Sequence, residues 1–556
     1  MSGAPPGLTL SGRIGPGRAL TRGAAAPYRA LARIDGEGHL VRGDLLGGGP
    51  AAGAPGRGRP LLCFAHLTDL QLADVQSPVR FEFFNREYGD PRFEELIPVQ
   101  RSQEALNSHA VDAMVRAINA VQGGPVTGMP PALVATTGDS VDNAQWNELT
   151  AVLDLLDGGT VRLDSGAPGY RGVQAPSWPD DIFWRPDPGG SMPDVFRTAF
   201  GFPEHPGLLD AAVRAFRAGG LTMPWLACHG NHEALIQGMG RITPEAAAAL
   251  VGGAKPTRLR GDVPRDEAVA MFTDAVHEFM TGDPVTVDPD PDRRALTRRE
   301  FVDAHFRGGG RPLGHGFTDA NRLQGTAYYA FDAGPVRFVA LDTACPDGGP
   351  DGSVDEDQAR WLEGVLAEAH SAHRSADGST VRTPNGDRLV VLLSHHGLDV
   401  MTNTRSRGGR RVVGADELLA LIHRFPNVVL WVNGHVHWNA VTPRPDPTEP
   451  GRGFWEVATC SLVDWPCQAR LVELVDDGDG AMSIVCTMLD HDGPVVERGV
   501  RPAGGWTGPE MAALHRELAA NVPGAGPESR LAGSAADRNV VLRLRAPFPL
   551  DRLPDA

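Results

Sequence analysis

Lysine and dense basic clusters are scarce in this 556-residue chain. Lys255 is the only lysine among 52 lysines and arginines, and the formal net charge is −17 at pH 7. An acidic surface without a basic groove repels a phosphate backbone. The composition therefore argues against a nucleic acid polymer as a partner.

Long apolar runs and paired cysteines are also missing. No stretch approaches the roughly 20 apolar residues of a membrane-spanning helix, and the N-terminus lacks a charged segment followed by an apolar one. The six cysteines include no Cys-x-x-Cys pair, and most fall in apolar stretches, which favours buried thiols over a disulfide framework. These absences predict a protein without membrane association, and the expected location is the cytoplasm.

The chain does contain an ordinary core-forming composition with many turns. Hydrophobic residues make up 41% and charged residues 22% of it, as in globular domains generally. Glycine and proline are frequent but dispersed, which indicates long loops. The pattern predicts an N-terminal extension and linker at 1–58, a main domain at 59–495 with insertions at about 157–222 and 238–322, and a C-terminal extension at 496–556.

Five apolar runs, each typical of a buried strand, end in polar residues suited to chemistry. Ligands of open α/β sheets bind beyond the carboxyl ends of the strands, so these ends are expected to meet. Carboxylate oxygens and imidazole nitrogens bind hard-to-borderline metals. Two cations held close together need a shared anion, and Asp139 is the candidate. The segments are Asp69-Leu-Gln71, Gly138-Asp139-Ser-Val-Asp142-Asn143, Gly230-Asn231-His232-Glu233, Ser394-His395-His396 and Gly434-His435-Val-His437.

These segments, in this order, resemble the motifs of the calcineurin-like metallophosphoesterase superfamily: D-x-H, G-D-x-x-D, G-N-H-E/D, a histidine after an apolar strand, and G-H-x-H. The resemblance covers roughly residues 60–490. It implies an α/β fold of two packed mixed β-sheets flanked by helices, a four-layer sandwich, here with long inserted loops. The inserts and the stretch from Ala65 to Glu82 resemble an actinobacterial subgroup of metallophosphoesterases with glutamine in the first motif.

The resemblance also implies two divalent or trivalent metal ions, drawn from Mn, Fe, Mg and Zn. His395 is preferred to His396 as a ligand because it follows the strand directly. A metal-activated water would attack phosphorus in line, and His232 would stabilise or protonate the leaving oxygen. The implied ligands are Asp69, Asp139, His437 and Gln71 for the first ion, and Asp139, Asn231, His395 and His435 for the second.

Gln71 departs from the superfamily pattern, which has histidine at that position. A glutamine ligand would replace a nitrogen donor by a harder oxygen donor and favour Mn, Mg or Fe over Zn. The alternative is that Gln71 contacts a water on a loosely held metal.

Three further residues are candidate substrate contacts, each with a structural alternative. Arg80 is a candidate to bind a substrate phosphate, and its alternative is a surface or packing role. His396 suits substrate or simple packing. For Asn143, as for Asp142, capping of the helix that follows is favoured over a contact with substrate. Trp178 and Trp184 lie in the first insertion. They are expected either to form part of a lid over the site or to belong to a family-specific decoration, an addition to the fold without a role at the site.

The expected function is two-metal-dependent phosphoester hydrolysis, as a phosphatase or phosphodiesterase, with a small phosphorylated substrate. A cyclic-nucleotide or glycerophosphodiester phosphodiesterase is the alternative among enzymes. A degenerate, non-catalytic phosphate-binding scaffold is the alternative outside enzymes, and Gln71 is the feature in its favour.

Overall fold

A computed structural model of the protein describes residues 7–52, 58–189, 193–478, 480–502 and 504–553. The centre of the predicted linker, residues 53–57, lies outside the described residues. In the described part of the chain no helix combines the length and the apolar character needed to cross a membrane. All six cysteines lie within the described ranges, where each is buried and unpaired, as predicted.

The strands are short and numerous. In chain order they are β1 Gly12–Arg22, β2 Pro27–Asp35, β3 Leu40–Arg42, β4 Ala51–Ala52, β5 Arg59–Leu67, β6 Val134–Thr136, β7 Thr160–Val161, β8 Phe216–Arg217, β9 Trp225–Leu226, β10 Ala254–Lys255, β11 Val285–Thr286, β12 Tyr329–Ala333, β13 Val336–Ala340, β14 Val354–Asp355, β15 Ala372–Arg374, β16 Thr380–Arg382, β17 Leu389–Leu393, β18 Val412–Val413, β19 Val428–Asn433, β20 Ala440–Pro445, β21 Gly453–Ala458, β22 Gln468–Gly478, β23 Ala481–Asp490 and β24 Val540–Arg545.

The α-helices, joined by several short 3₁₀ turns, are likewise short. They are α1 Asn107–Asn119, α2 Trp146–Asp157, α3 Val195–Phe200, α4 Leu208–Ala212, α5 Asn231–Ala234, α6 Pro244–Leu250, α7 Ala268–Ala275, α8 Arg298–Ala304, α9 Asp319–Gln324, α10 Glu356–Glu368, α11 Ala415–Ile422 and α12 Gly508–Ala519.

Two mixed sheets form the centre of the fold. The larger has eight strands in the order β4-β3-β24-β23-β22-β5-β6-β9, and the smaller has six in the order β12-β13-β17-β19-β21-β20. Strands β5, β6 and β9 run parallel, as do β13, β17, β19 and β21. Parallel strands covered on both faces are continuously apolar, which is why β17 reads Leu-Val-Val-Leu-Leu with every residue buried.

The sheets pack face to face, and helices cover their outer faces. Phe64 of β5 meets Phe338 of β13 edge to face, with ring centroids 5.3 Å apart. One apolar cluster includes strands of both sheets together with α1 and α2, while a second joins α10 and α11 to the smaller sheet. The predicted fold class, two packed mixed sheets flanked by helices, is confirmed.

The terminal segments join the larger sheet. β24 pairs antiparallel with β23 and parallel with β3, so residues from both predicted extensions complete one edge of the central layer. Helix α12 packs against α1. The larger sheet therefore continues well beyond β5, β6 and β9, its three strands whose ends carry motifs.

Candidate metal centre

The carboxyl ends of parallel strands from both sheets meet at one edge of the sandwich. The loops are tied to each other, since the backbone N–H groups of Asp69 and Gln71 donate to the carbonyls of Gly138 and Asp139 at 3.2 and 2.9 Å. The ends contribute Asp69 and Gln71 after β5, Asp139 after β6, Asn231 and His232 after β9, His395 after β17, and His435 and His437 after β19.

Five residues of this group have a left-handed backbone. Their φ angles are 52° for Asp69, 42° for Gln71, 51° for Asp139, 68° for His435 and 61° for His437. Such a conformation costs a non-glycine residue on the order of 1 kcal/mol or more, and it collects at functional sites. The chain accepts this strain where β5, β6 and β19 turn out of their sheets, and the turns bring the side chains together.

Two motif glycines permit the close approach of these turns. A Cβ on Gly230 would collide with the backbone nitrogen and Oδ1 of Asp139, and one on Gly434 would collide with Thr68 and Asp69 Oδ2. The glycines in Gly-Asn-His-Glu and Gly-His-Val-His are therefore needed to let neighbouring carboxylates fit.

Asp139 lies at the centre and is fixed on both sides. Its Oδ1 accepts the backbone N–H of His232 at 2.9 Å, and its Oδ2 lies 3.0 Å from His395 Nε2. The buried Glu233 carboxylate holds the same turn, accepting the N–H groups of Asp139, Ser140 and Gly230 at 2.9, 2.6 and 2.8 Å. Glu233, the last residue of the Gly-Asn-His-Glu motif, is therefore a positioning residue that fixes the backbone of the Asp139 turn.

His395 and His437 each have one ring nitrogen committed to a hydrogen bond and the other directed at a carboxylate. His395 Nδ1 donates to the carbonyl of Thr137 at 2.8 Å, which leaves Nε2 for Asp139. His437 Nδ1 donates to Asp464 Oδ2 at 2.7 Å, and its Nε2 lies 3.4 Å from Asp69 Oδ1. A carboxylate or carbonyl behind the imidazole is the usual arrangement behind a metal-bound histidine.

Asp464 is a functional residue that sequence reasoning missed. Burial alone would lower the pKa of His437, but Asp69 and Asp464 raise it to about 9. Asp464 itself accepts Arg101 Nε at 2.8 Å through its other oxygen. The available signal was its place shortly after β21, the neighbour of β19 in the smaller sheet.

The residues present fit a metal centre. Asp69, Asp139 and His395 offer ligand atoms that all lie within 4.8 Å of one another, and both carboxylates are buried. Within the described structure Gln71 Oε1 and Asn231 Oδ1 are buried without a hydrogen-bond partner, and His395 Nε2 faces the Asp139 carboxylate. Unpaired buried acceptors cost on the order of 1–3 kcal/mol each. A cation shared by these atoms would remove that cost.

Asn231 has a fixed orientation. Its Nδ2 donates to the carbonyl of Gly238 at 2.9 Å, so its bare oxygen is the atom left for a cation. Gln71 Nε2 instead lies 3.3 Å from His232 Nε2 and 3.4 Å from His437 Nε2. The amide end of Gln71 therefore reaches the site, and rotation about its last bond would bring Oε1 to the same place.

The other expected candidates have structural roles here. Arg80 is completely buried, with Nε donating to Asp142 at 2.8 Å and its Nη groups to Glu104 at 2.9 and 3.0 Å. The expectation that Arg80 binds substrate is wrong for this structure, because its guanidinium has no access to the cavity. It positions Asp142, whose carbonyl accepts His232 Nδ1 at 2.5 Å.

Asn143 and His396 are also committed internally. Asn143 Nδ2 donates to the Val79 carbonyl and its Oδ1 accepts the Gln237 N–H. Both ring nitrogens of His396 have partners, Thr343 Oγ1 and the Pro350 carbonyl, each at 2.8 Å. Its ring packs on His435, with centroids 4.3 Å apart. Asn143 is thus held by hydrogen bonds to the backbone. His396 lies with His395 and His435 in a group that could hold a metal ion, but both of its ring nitrogens already have partners.

The helix-capping alternative for Asp142 and Asn143 is wrong. Helix α2 begins later than the sequence indicates, at Trp146 with Gln145 before it. The N–H groups of Asp142 and Asn143 instead donate to Glu148 Oε2 at 3.2 and 2.8 Å. The Glu148 side chain therefore holds this loop open beside the site.

A cavity of about 200 Å³ opens over the cluster. Trp178 and Trp184 do not line it. Trp178 is buried in an apolar cluster of the first insertion, and Trp184 in one that joins the insertion to α12, so decoration is favoured over a lid. The cavity is lined by Gln71, Asp139, Asp142, Asn231, His232, His435 and His437, with walls from 95–99, Arg101, 237–239 and Pro350.

Neither a protein-family model nor a curated protein sequence matches the chain. Solved structures do. A dimetal phosphatase from Danio rerio matches with 12% identity and a TM-score of 0.34, over 78% of this chain and 99% of that one. A purple acid phosphatase from yellow lupin seeds matches with 12% identity and a TM-score of 0.29, over 80% and 54%. Likeness at this level assigns no activity, so function is inferred from the chain's own residues.

Proposed function

We propose that this protein is a two-metal-dependent phosphoester hydrolase that acts on small phosphorylated substrates. The observation that carries the proposal is a cluster of ligand atoms at one cavity: the buried, unpaired oxygens of Gln71 and Asn231, beside the group of Asp69, Asp139 and His395. In this proposal Asp139 would be shared by the two ions. Asp69, Gln71 and His437 complete one ligand set, and Asn231, His395 and His435 complete the other.

The chain's residues have separable tasks in this proposal. When bound, the two metal ions would polarise the phosphoryl group and generate the nucleophile from water. Thr137 and Asp464 keep Nε2 of His395 and His437 directed at the site. His232 has its Nδ1 anchored to the Asp142 carbonyl and its ring at the cavity, so Nε2 is the atom that would donate to the leaving oxygen in this proposal.

The size and charge of the cavity support a small substrate. Two divalent ions facing two carboxylates would leave about two positive charges, which attracts a phosphate dianion. A cavity of about 200 Å³ is below the usual range of roughly 300–1,000 Å³ for drug-sized ligands. A chain of net charge −17 offers little attraction to a nucleic acid polymer.

Metal analysis with two chromogenic esters tests the proposal. Purified protein dialysed against Mn is expected to hold about two metal ions per chain and to hydrolyse p-nitrophenyl phosphate or bis(p-nitrophenyl) phosphate, with activity lost to a chelator and restored by Mn. Fewer than one ion per chain together with no hydrolysis would instead support the non-catalytic scaffold.

Gln71→His tests whether Gln71 is a ligand. The change supplies an imidazole nitrogen, so the affinity for Zn relative to Mn is expected to rise about tenfold or more, with the fold retained. Gln71→Leu, of similar length but without a donor atom, is the matched control and is expected to lower occupancy of one ion. Unchanged metal preference in Gln71→His and full occupancy in Gln71→Leu would place Gln71 outside the coordination shell.

A further inference from the structure

Arg101 is the one lysine or arginine among the described residues that line the cavity over the metal centre. Its Nε donates to Asp464 Oδ1 at 2.8 Å, and its backbone N–H donates to Glu104 Oε2 at 3.2 Å. The side chains of Arg101 and Asp464 are each 12% exposed. The arginine is therefore fixed at its backbone and at one side of its guanidinium.

The two terminal guanidinium nitrogens of Arg101 are available to bind a ligand. Among the described residues no hydrogen-bond partner of Nη1 or Nη2 is found, whereas the three guanidinium nitrogens of nearby Arg80 all have partners. Glu104, the acid they share, is already paired with the Arg80 side chain. Arg101 thus presents unpaired N–H donors at the cavity, while Arg80 is saturated by carboxylates.

We propose that Arg101 binds a terminal phosphate oxygen of the substrate and makes the enzyme selective for phosphomonoesters. The proposal deepens the proposed function and rests on it. A guanidinium suits this task because its N–H groups form a rigid fork that matches phosphate oxygens.

The number of terminal oxygens separates monoesters from diesters. A monoester has three non-bridging oxygens and a diester has two. If two oxygens face the metal ions, only a monoester keeps one for Arg101. A diester would instead place its second ester group against the guanidinium, which leaves the N–H donors of Arg101 buried and unpaired.

The walls of the cavity limit the leaving group. Leu96, Ile97, Val99 and Met239 give one side an apolar surface, and Glu95 is exposed at its edge. A compact, partly apolar leaving group matches this apolar side of the cavity. A second phosphate on the leaving group would lie near the Glu95 carboxylate and be repelled by it. The substrate class is therefore a small phosphomonoester.

Asp464 links this contact to the metal centre. It accepts Arg101 Nε through one oxygen and His437 Nδ1 through the other, at 2.8 and 2.7 Å. One carboxylate therefore sets the distance between the proposed phosphate contact and a proposed metal ligand. Arg101→Gln leaves Asp464 its bond from His437, so metal binding is expected to persist in that variant.

The test compares Arg101→Gln with the wild type, both loaded with Mn. Binding of inorganic phosphate, measured by calorimetry, and kcat/KM for p-nitrophenyl phosphate are each expected to fall about 10–100-fold, the loss of a charged hydrogen bond. The kcat/KM for bis(p-nitrophenyl) phosphate is expected to change less than about threefold, and metal content to stay constant. Arg101→Lys, which keeps the charge without the fork, should lose less.

Arg360→Gln is the matched control, because the Arg360 side chain is 71% exposed and lies outside the cavity lining. Equal losses on both esters, an unchanged phosphate affinity, or loss of metal in Arg101→Gln would each overturn the assignment of Arg101. A wild type that holds two ions but hydrolyses neither ester would overturn the proposed function. Phosphate calorimetry would then still decide the role of Arg101.

Discussion

Asp139→Asn is expected to leave at most one metal ion per chain and to lower phosphoester hydrolysis by more than about 10⁴-fold. The amide keeps the size of the carboxylate but not its charge, so it cannot offset the repulsion between two cations. The loss should exceed the 10²–10⁴-fold typical of removing one acid or base, because generation of the nucleophile itself depends on the ions. Metal analysis and kcat/KM measure both effects.

The fold should survive this change. The amide oxygen of an asparagine can still accept the N–H of His232, the contact that Oδ1 of Asp139 makes at 2.9 Å. Asp319→Asn is the control, since the Asp319 side chain is 83% exposed. Two bound ions in Asp139→Asn, with an unchanged melting temperature, would contradict the bridging role.

His232→Ala is expected to retain both ions and to slow the hydrolysis of an alkyl phosphate by about 10²–10⁴-fold. The backbone N–H that donates to Asp139 Oδ1 remains in alanine, so the metal ligands keep their positions. The ring that is lost lies at the cavity, with 16% of its side chain exposed. The variant therefore lacks the group that is proposed to donate a proton to the leaving oxygen.

Leaving-group dependence separates this role from general damage to the site. p-Nitrophenolate departs without a proton, so the same variant should lose much less activity on p-nitrophenyl phosphate than on an alkyl phosphate. Equal losses on the two substrates would contradict the acid role, and loss of metal would make His232 a ligand or a support for one. His277→Ala, at a half-exposed histidine outside the cavity, serves as the control.

Arg80 and Asp142 show how a residue that looks available in the sequence can be fully used in the fold. Arg80 follows a motif closely and carries a charge suited to phosphate, which made it a candidate. Three carboxylates from separate parts of the chain surround it. Arg101 carries the same charge but has free N–H donors at the cavity, and local sequence does not distinguish the two.

The terminal strands illustrate the same limit at the level of the fold. Strand β3, Leu40–Arg42, lies in the predicted N-terminal extension, and β24, Val540–Arg545, lies in the predicted C-terminal one. The parallel pairing of β3 with β24 joins residues about 500 positions apart. Nothing in the local pattern of either strand indicates such a partner, because pairing depends on which sheet edge remains open.

The sequence alone determined the strands that precede Asp69, Asp139, Asn231, His395 and His435, because short apolar runs followed by polar turn residues specify buried strands locally. It also determined the central position of Asp139. Only the tertiary structure decided which charged groups are neutralised and which remain available, since burial and partners depend on distant segments. The tertiary structure placed Asp464 behind His437, buried Arg80 among carboxylates and left Arg101 at the cavity. Asp139 therefore keeps the central position that the sequence predicts, and the structure defines its neighbours.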